Sequence, residues 1–234
     1  DRNFDIQKPV IGLIGAGNFT SMTLLPALKS LHPQIKSIAG AKGLNAKMLA
    51  QKYNILNATT DYKVILKDAS INLVLITTRH NLHAEMAIAS IQAGKNVFVE
   101  KPLALNSAEL DEVISAYSTS RKSLIVGYNR RFSPHVKYVK KYLLTEEPLS
   151  IIATMNAGFI PSNSWVQDPE TGGGRIIGEA CHYLDLMISL NGSLITEICM
   201  NALGKTPSKN TDNASILVKF ENGSQGVVNY FSNG

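Results

Sequence analysis

The feature that most narrows the folds open to this chain is an alternation of short apolar runs with longer stretches of helical period. The runs are VIGLIGAG at Val10 to Gly17, SIAGA at Ser37 to Ala41, NLVLITT at Asn72 to Thr78, NVFVE at Asn96 to Glu100 and SLIVGY at Ser123 to Tyr128. Strands that are apolar nearly throughout are buried on both faces, which is the condition of a parallel sheet covered by crossover helices. Between them Leu24, Leu25, Leu28 and Leu31 recur on one helical face, as do Ala84, Ala87, Ile88 and Ile91, and again Leu110, Val113, Ile114 and Tyr117. Gly94, after SIQA, marks a helix stop.

After Tyr128 the texture changes. A helix is expected from Ser133 to Leu144, then the turn-like TEEP, the strand LSIIATMNA, and two strands of period two around Asn222-Gly223, a strong hairpin signal. The expected fold class is therefore α/β: a parallel βα sheet over residues 1–127, read as a Rossmann dinucleotide-binding domain from the Gly15-Ala16-Gly17 turn after its first strand, then an α+β domain with a mostly antiparallel sheet over residues 128–234. The last strand, GVVNYFS, is expected to leave an open apolar edge. Natural proteins avoid such edges. Further strands beyond Gly234 in a longer polypeptide, or a partner subunit making a homo-oligomer through this sheet, are the two expectations that follow.

Composition sets the outer bounds. With 234 residues, 44% apolar and 18% charged, the chain can bury a sizeable core. It has no apolar run long enough to span a membrane and no signal-like N-terminus. Cys181 and Cys199 are too few for a disulfide framework and lack zinc spacing, so the expectation is a cytoplasmic protein without a metal. The net charge of +5 is spread along the chain, with no basic stripe carrying aromatic platforms. Neither a nucleic-acid partner nor a membrane is expected.

Two motifs point to chemistry. Gly15-Ala16-Gly17 stands directly after a strand and before a helical pattern, where a dinucleotide fold needs one glycine for a tight turn and one for bare backbone beside the pyrophosphate. Thr20 stands where Gly or Ala usually allows close helix–strand packing. The acid expected at the end of the second strand is missing, and Lys42 there either faces a 2′-phosphate or is simply solvated. The second motif is Glu100-Lys101-Pro102, an acid, a base and a proline that stop a buried strand.

The glycine loop, TTRHNLHAEMAIASIQAGKNVFVEKPLAL, GYNRRF and GGGRIIGEACHYLD, in that order, resemble the Gfo/Idh/MocA family of NAD(P)-dependent oxidoreductases over nearly the whole chain. In style they look most like a module that follows a zinc-type alcohol dehydrogenase module in one polypeptide. The resemblance implies that Lys101 points at the reacting hydroxyl or carbonyl beside the nicotinamide, with Pro102 in a cis bond. It also implies that His182 passes the proton or holds the substrate hydroxyl, and that Asp185 orients it or bonds a sugar hydroxyl. Physical chemistry asks for such a base, because a hydride cannot leave a carbinol carbon unless the hydroxyl proton departs too.

Lys101 and His182 are thus the candidate catalytic residues. Gly15, Gly17, Asn18, Phe19, Lys42, Thr78, Arg79, His80, Glu100, Lys101 and Pro102 are the candidate cofactor contacts, for NAD or NADP with a lean to NADP. Asn129, Arg131, Trp165, Glu179, His182 and Asp185, with Lys101, are the candidate substrate contacts. Arg130 and Arg131 either pair with an anionic substrate or brace the structure, and His83 reads as a capping or packing residue. Many family members carry Asp where Gly178 stands; Glu179 either compensates or does not. The GGG at Gly172 to Gly174 reads as a flexible approach to a helix beginning near Arg175. The expected function is hydride transfer between a nicotinamide and a hydroxyl or carbonyl carbon of a carbohydrate-like substrate. The alternative is a non-catalytic NAD(P)-binding sensor or regulator of the same fold.

Overall fold

The computed structural model describes residues 8–143, 147–207 and 211–233. Two compact units divide the chain, residues 1–127 and 128–234. The first holds the strands β1 (Val10–Ile14), β2 (Gln34–Ala39), β3 (Asn57–Thr59), β4 (Leu73–Ile76), β5 (Asn96–Val99) and β6 (Leu124–Val126). Its helices are α1 (Leu25–Lys29), α2 (Gly43–Tyr53), α3 (Lys63–Lys67), α4 (His83–Gln92) and α5 (Ser107–Ser118). All strand pairings are parallel, in the order β3-β2-β1-β4-β5-β6. The direction of winding reverses between β1 and β4, which puts the ligand crevice of such a sheet at the carboxyl ends of those strands.

Both faces are covered because successive residues of the central strands point to opposite sides. Ile14, Val74, Ile76, Val97 and Val99 pack with Ile65, Met86 and Ile91 on one side. Ile11, Leu13, Ile38 and Leu75 pack with Leu25, Leu49 and Ile55 on the other. Gly94 ends α4 as expected: at φ +72° it donates to Ile91 O and Lys95 N–H donates to Ser90 O, the paired bonds of a Schellman turn. The face expected on α5 is realised only in part. Val113 is buried, whereas Leu110, Ile114 and Tyr117 are exposed.

The second unit contains α6 (Pro134–Lys140), β7 (Ser150–Asn156), α7 (Cys181–Asn191), β8 (Ile195–Ala202), β9 (Ala214–Phe220) and β10 (Gln225–Phe231). The helix expected from Ser133 to Leu144 is shorter: Ser133 caps it by accepting from Val136 N–H, and Leu144 lies outside the described residues. Asn222-Gly223 does turn the β9–β10 hairpin, with Gly223 at φ +84°. The sheet is mixed, in the order β7-β10-β9-β8, because β7 runs parallel to β10 while the other two pairings are antiparallel. The expectation that GVVNYFS forms an open edge is thereby corrected. β10 lies inside the sheet, and β7 and β8 are its edges. Ile216, Val218, Phe220, Val228 and Tyr230 turn one face onto Ala180, Tyr183 and Met187 to form this unit's core. Among the described residues no helix is long and apolar enough to cross a membrane.

Candidate active site

The glycine turn is built at the end of β1. Gly15 sits at φ +119° and donates its N–H to Ala39 O at 2.9 Å, and a Cβ there would lie 2.5 Å from Thr77 Oγ1. Only glycine meets both demands without strain. Gly17 differs: a Cβ on it would meet nothing within 4 Å. Packing inside the protein does not require a bare backbone there, but a pyrophosphate approaching the helix start does. The loop therefore fits a dinucleotide, with Asn18 and Phe19 exposed beside it.

Thr20, the departure from the glycine fingerprint, is fully buried and opens a π-helical turn, Thr20–Leu24, ahead of α1. Its hydroxyl donates to Gly15 O at 2.9 Å and lies 2.7 Å from Thr77 Oγ1. Where a small residue would bring helix and strand together, two hydroxyls tie them.

The Glu100-Lys101-Pro102 segment leaves the sheet two strands from the glycine turn. Glu100 N–H still donates to Ile76 O at 2.9 Å, and the Lys101–Pro102 peptide is cis, as the resemblance implies. Lys101 is partly exposed and Pro102 buried. Burial pushes the Glu100 carboxyl up from its ordinary range, opposed by the Lys101 N–H and charge. Thr78 and His80 are half-buried and Arg79 exposed where β4 gives way to a 3₁₀ turn, His80–Leu82. His83, fully buried at the start of α4, sets Nδ1 2.7 Å from Pro102 O and Nε2 3.2 Å from Thr78 O. Lys42 is exposed at the N-cap of α2, and residues 40–45 hold no acid.

In the second unit, the stretch expected as one helix from Arg175 contains a π-helical turn, Ile176–Ala180, before α7. Such turns insert a residue into the helical register and cluster at functional sites. Gly172 to Gly174 form a packed turn rather than a flexible approach. Gly172 and Gly173 N–H donate to Asp168 O, Gly174 N–H donates to Val166 O, and a Cβ on Gly172 would lie 2.4 Å from two carbonyl oxygens.

Arg131, in the 3₁₀ turn Arg130–Phe132, grips Asp185 with both arms of its fork. The Nε–Oδ2 distance is 2.9 Å, and Nη2 also donates to Oδ1. The Asp185 side chain is 9% exposed and that of Arg131 33%. Two residues assigned to substrate thus hold each other. Buried His182 presents its ring to Tyr128, 6.2 Å between centroids and nearly perpendicular. Burial and then the neighbouring Cys181 push the Tyr128 phenol up to about 12. The Arg130 guanidinium lies 4.7 Å over the Tyr183 ring.

Glu179 accepts from Tyr230 Oη at 2.5 Å and from Arg175 Nε at 3.3 Å. Arg175, its side chain only 2% exposed, also donates to Gly158 O and Ala157 O. Asn129 and Trp165 are exposed, Trp165 by 36%. Sequence reasoning missed the Thr20–Thr77 tie, Tyr128, Arg175 and Tyr230. The i,i+4 spacing of Arg175 and Glu179 was a readable signal; Tyr230, 51 residues further on, gave none. Among the described residues no group of three or more His, Cys, Asp or Glu side chains is placed to hold a metal.

A 3-2-1-4-5-6 parallel sheet with a glycine turn after its first strand defines a dinucleotide-binding unit. Comparison with known proteins takes the class further. Residues 10–128 match the oxidoreductase family with an NAD-binding Rossmann fold, and residues 146–233 match the GFO/IDH/MocA C-terminal domain. The uncharacterized oxidoreductase YrbE of Bacillus subtilis is 30% identical over 95% of this chain and 67% of its own length. Levoglucosan dehydrogenase of Pseudarthrobacter phenanthrenivorans is 28% identical over 95% of this chain and 67% of its own. A solved structure of levoglucosan dehydrogenase with NADH and levoglucosan superposes with a TM-score of 0.85 at 28% identity, covering 97% of this chain and 68% of that one. For the Xenopus tropicalis trans-1,2-dihydrobenzene-1,2-diol dehydrogenase the chain spans about half of the relative, 53%. The chain belongs to the GFO/IDH/MocA family of NAD(P)-binding oxidoreductases.

Proposed function

We propose that this protein transfers a hydride between NAD(P) and a CH–OH carbon of a sugar or sugar-like substrate. The observation that carries the reading is the placement of Lys101 at the carboxyl end of β5, on the same sheet edge as the Gly15–Gly17 turn of β1. The nicotinamide, when bound, supplies the centre that accepts or donates the hydride. The glycine turn holds the pyrophosphate, and Lys101 takes the hydroxyl proton in oxidation and returns it in reduction. His182 is proposed, from its motif, as the second group handling that proton.

The second unit is read as the substrate and self-association domain. Gly178 offers no side chain and Glu179 is engaged by Arg175 and Tyr230, which favours a substrate that asks for no carboxylate at that point. Nicotinamide absorbance followed against a panel that includes levoglucosan and myo-inositol, compounds named for two relatives, tests the reading. No turnover of any CH–OH compound would contradict it.

NADP is proposed to bind at least as well as NAD, because Lys42 rather than an acid follows β2. Titration of both by fluorescence quenching decides it, and an NAD preference above about tenfold, ~1.4 kcal/mol, would overturn it. Self-association through the second sheet is supported by its outward row of Ile152, Val227 and Leu217, aligned by register, with Ile152 71% and Leu217 49% exposed. Concentration-independent sedimentation as a monomer would count against it. A cytoplasmic location, and fusion to a zinc-type alcohol dehydrogenase module, complete the proposal; fractionation and the length of the native polypeptide test them.

A further inference from the structure

We propose that His83 is a positioning residue for proton transfer: its Nδ1–H donates to Pro102 O and so fixes the backbone that carries Lys101. The inference rests on the reading of Lys101 as the proton-transfer group.

His83 has no exposed surface, and a residue that only filled space there need not be polar. Both of its ring nitrogens face carbonyl oxygens, Pro102 O at 2.7 Å and Thr78 O at 3.2 Å. A carbonyl only accepts, and a neutral imidazole has one donor, so the neutral ring satisfies one of the two. The shorter contact assigns the proton to Nδ1. Burial favours that neutral ring over the charged one, as does the neighbouring Lys101 charge; the two carbonyls pull the other way, and the ring of His80, a further titratable group, lies 5.8 Å away.

The position of the accepting carbonyl gives the bond its purpose. Pro102 has no N–H, so the turn beyond β5 has one fewer backbone donor with which to anchor itself. A side chain from the first turn of α4 supplies the missing donor, one residue past Lys101. The same ring abuts Thr78 O, so one buried side chain sets the spacing of two segments at the sheet's carboxyl edge. A displaced lysine would keep its charge and lose its aim, and a misplacement of about 1 Å can cost about a hundredfold in rate.

The test compares three variants of the full native polypeptide with the wild type. His83→Asn keeps a donor near the Nδ1 position, His83→Gln moves it toward the Nε2 position, and His83→Leu has none. The expected result is turnover within about threefold of wild type for Asn and a fall of about tenfold to a hundredfold for Gln and Leu, at unchanged NAD(P) affinity. Equal turnover in all three, or losses that follow melting temperature alone, would overturn the proposal. Ring nitrogen NMR of the protein without cofactor gives a second readout: His83 is expected as the neutral Nδ1–H tautomer at neutral pH, and an Nε2–H tautomer would overturn the assignment even where a variant does not fold. A wild type that turns over no CH–OH compound contradicts the oxidoreductase reading instead, and leaves the tautomer to decide the His83 bond.

Discussion

Thr20 and Thr77 place their hydroxyls 2.7 Å apart beneath the glycine turn, and both reach the same acceptor, Gly15 O, at 2.9 and 3.2 Å. The departure from the glycine fingerprint is thus part of a compact polar tie. A fingerprint glycine or alanine would pack closely there but could offer Gly15 O no bond.

Thr20→Val tests the tie, since it keeps the volume and removes the hydroxyl. Thr77 can still turn toward Gly15 O, so the cost is one buried hydrogen bond rather than an orphaned carbonyl, about 1 to 2 kcal/mol of stability. Denaturant unfolding measures it. NAD(P) affinity is expected to fall alongside, because Gly15 O loses its shorter anchor.

Gly15 and Gly17 are expected to separate stability from binding. Gly15→Ala forces a Cβ to within 2.5 Å of Thr77 Oγ1 at φ +119°, so it destabilises the fold. Gly17→Ala meets no protein atom within 4 Å, so its melting temperature should stay near wild type while affinity for NAD(P) falls at least about tenfold. Unchanged affinity in the second variant would remove the pyrophosphate from this turn.

What was legible in the sequence and what was not divides by range. β1, β4 and β5 are apolar runs buried on both faces, and the glycine turn and Lys101 follow directly at their ends. β3 is three residues, two of them exposed, and has no apolar signal. The parallel pairing of β7 with β10 joins residues 75 apart at Ser150 and Gln225, and no local pattern announces it. The π-helical turns depend on one extra residue in a register, which side-chain spacing does not reveal. Arg131 and Asp185 were legible as charged groups but not as each other's partner, because 54 residues separate them.

That pairing sets a choice between two roles. With Asp185 nearly buried and Arg131 one-third exposed, Asp185→Asn should cost about 1 to 2 kcal/mol, below the cost of breaking a fully buried pair because water still reaches the arginine. A double-mutant cycle with Arg131→Lys should show coupling, since lysine cannot reproduce the two-pronged contact. A rise in KM at unchanged stability would instead assign both residues to substrate.

The measurement that bears most directly on function is turnover of Lys101→Met. Methionine keeps the apolar stem and removes the titrating nitrogen, so NAD(P) affinity and melting temperature should barely move while turnover falls by roughly two to four orders of magnitude. His182→Asn in parallel orders the two roles: a smaller loss if His182 relays or orients, a similar loss if it is itself the base. Normal turnover by Lys101→Met would contradict the assignment of Lys101 as the proton-transfer group.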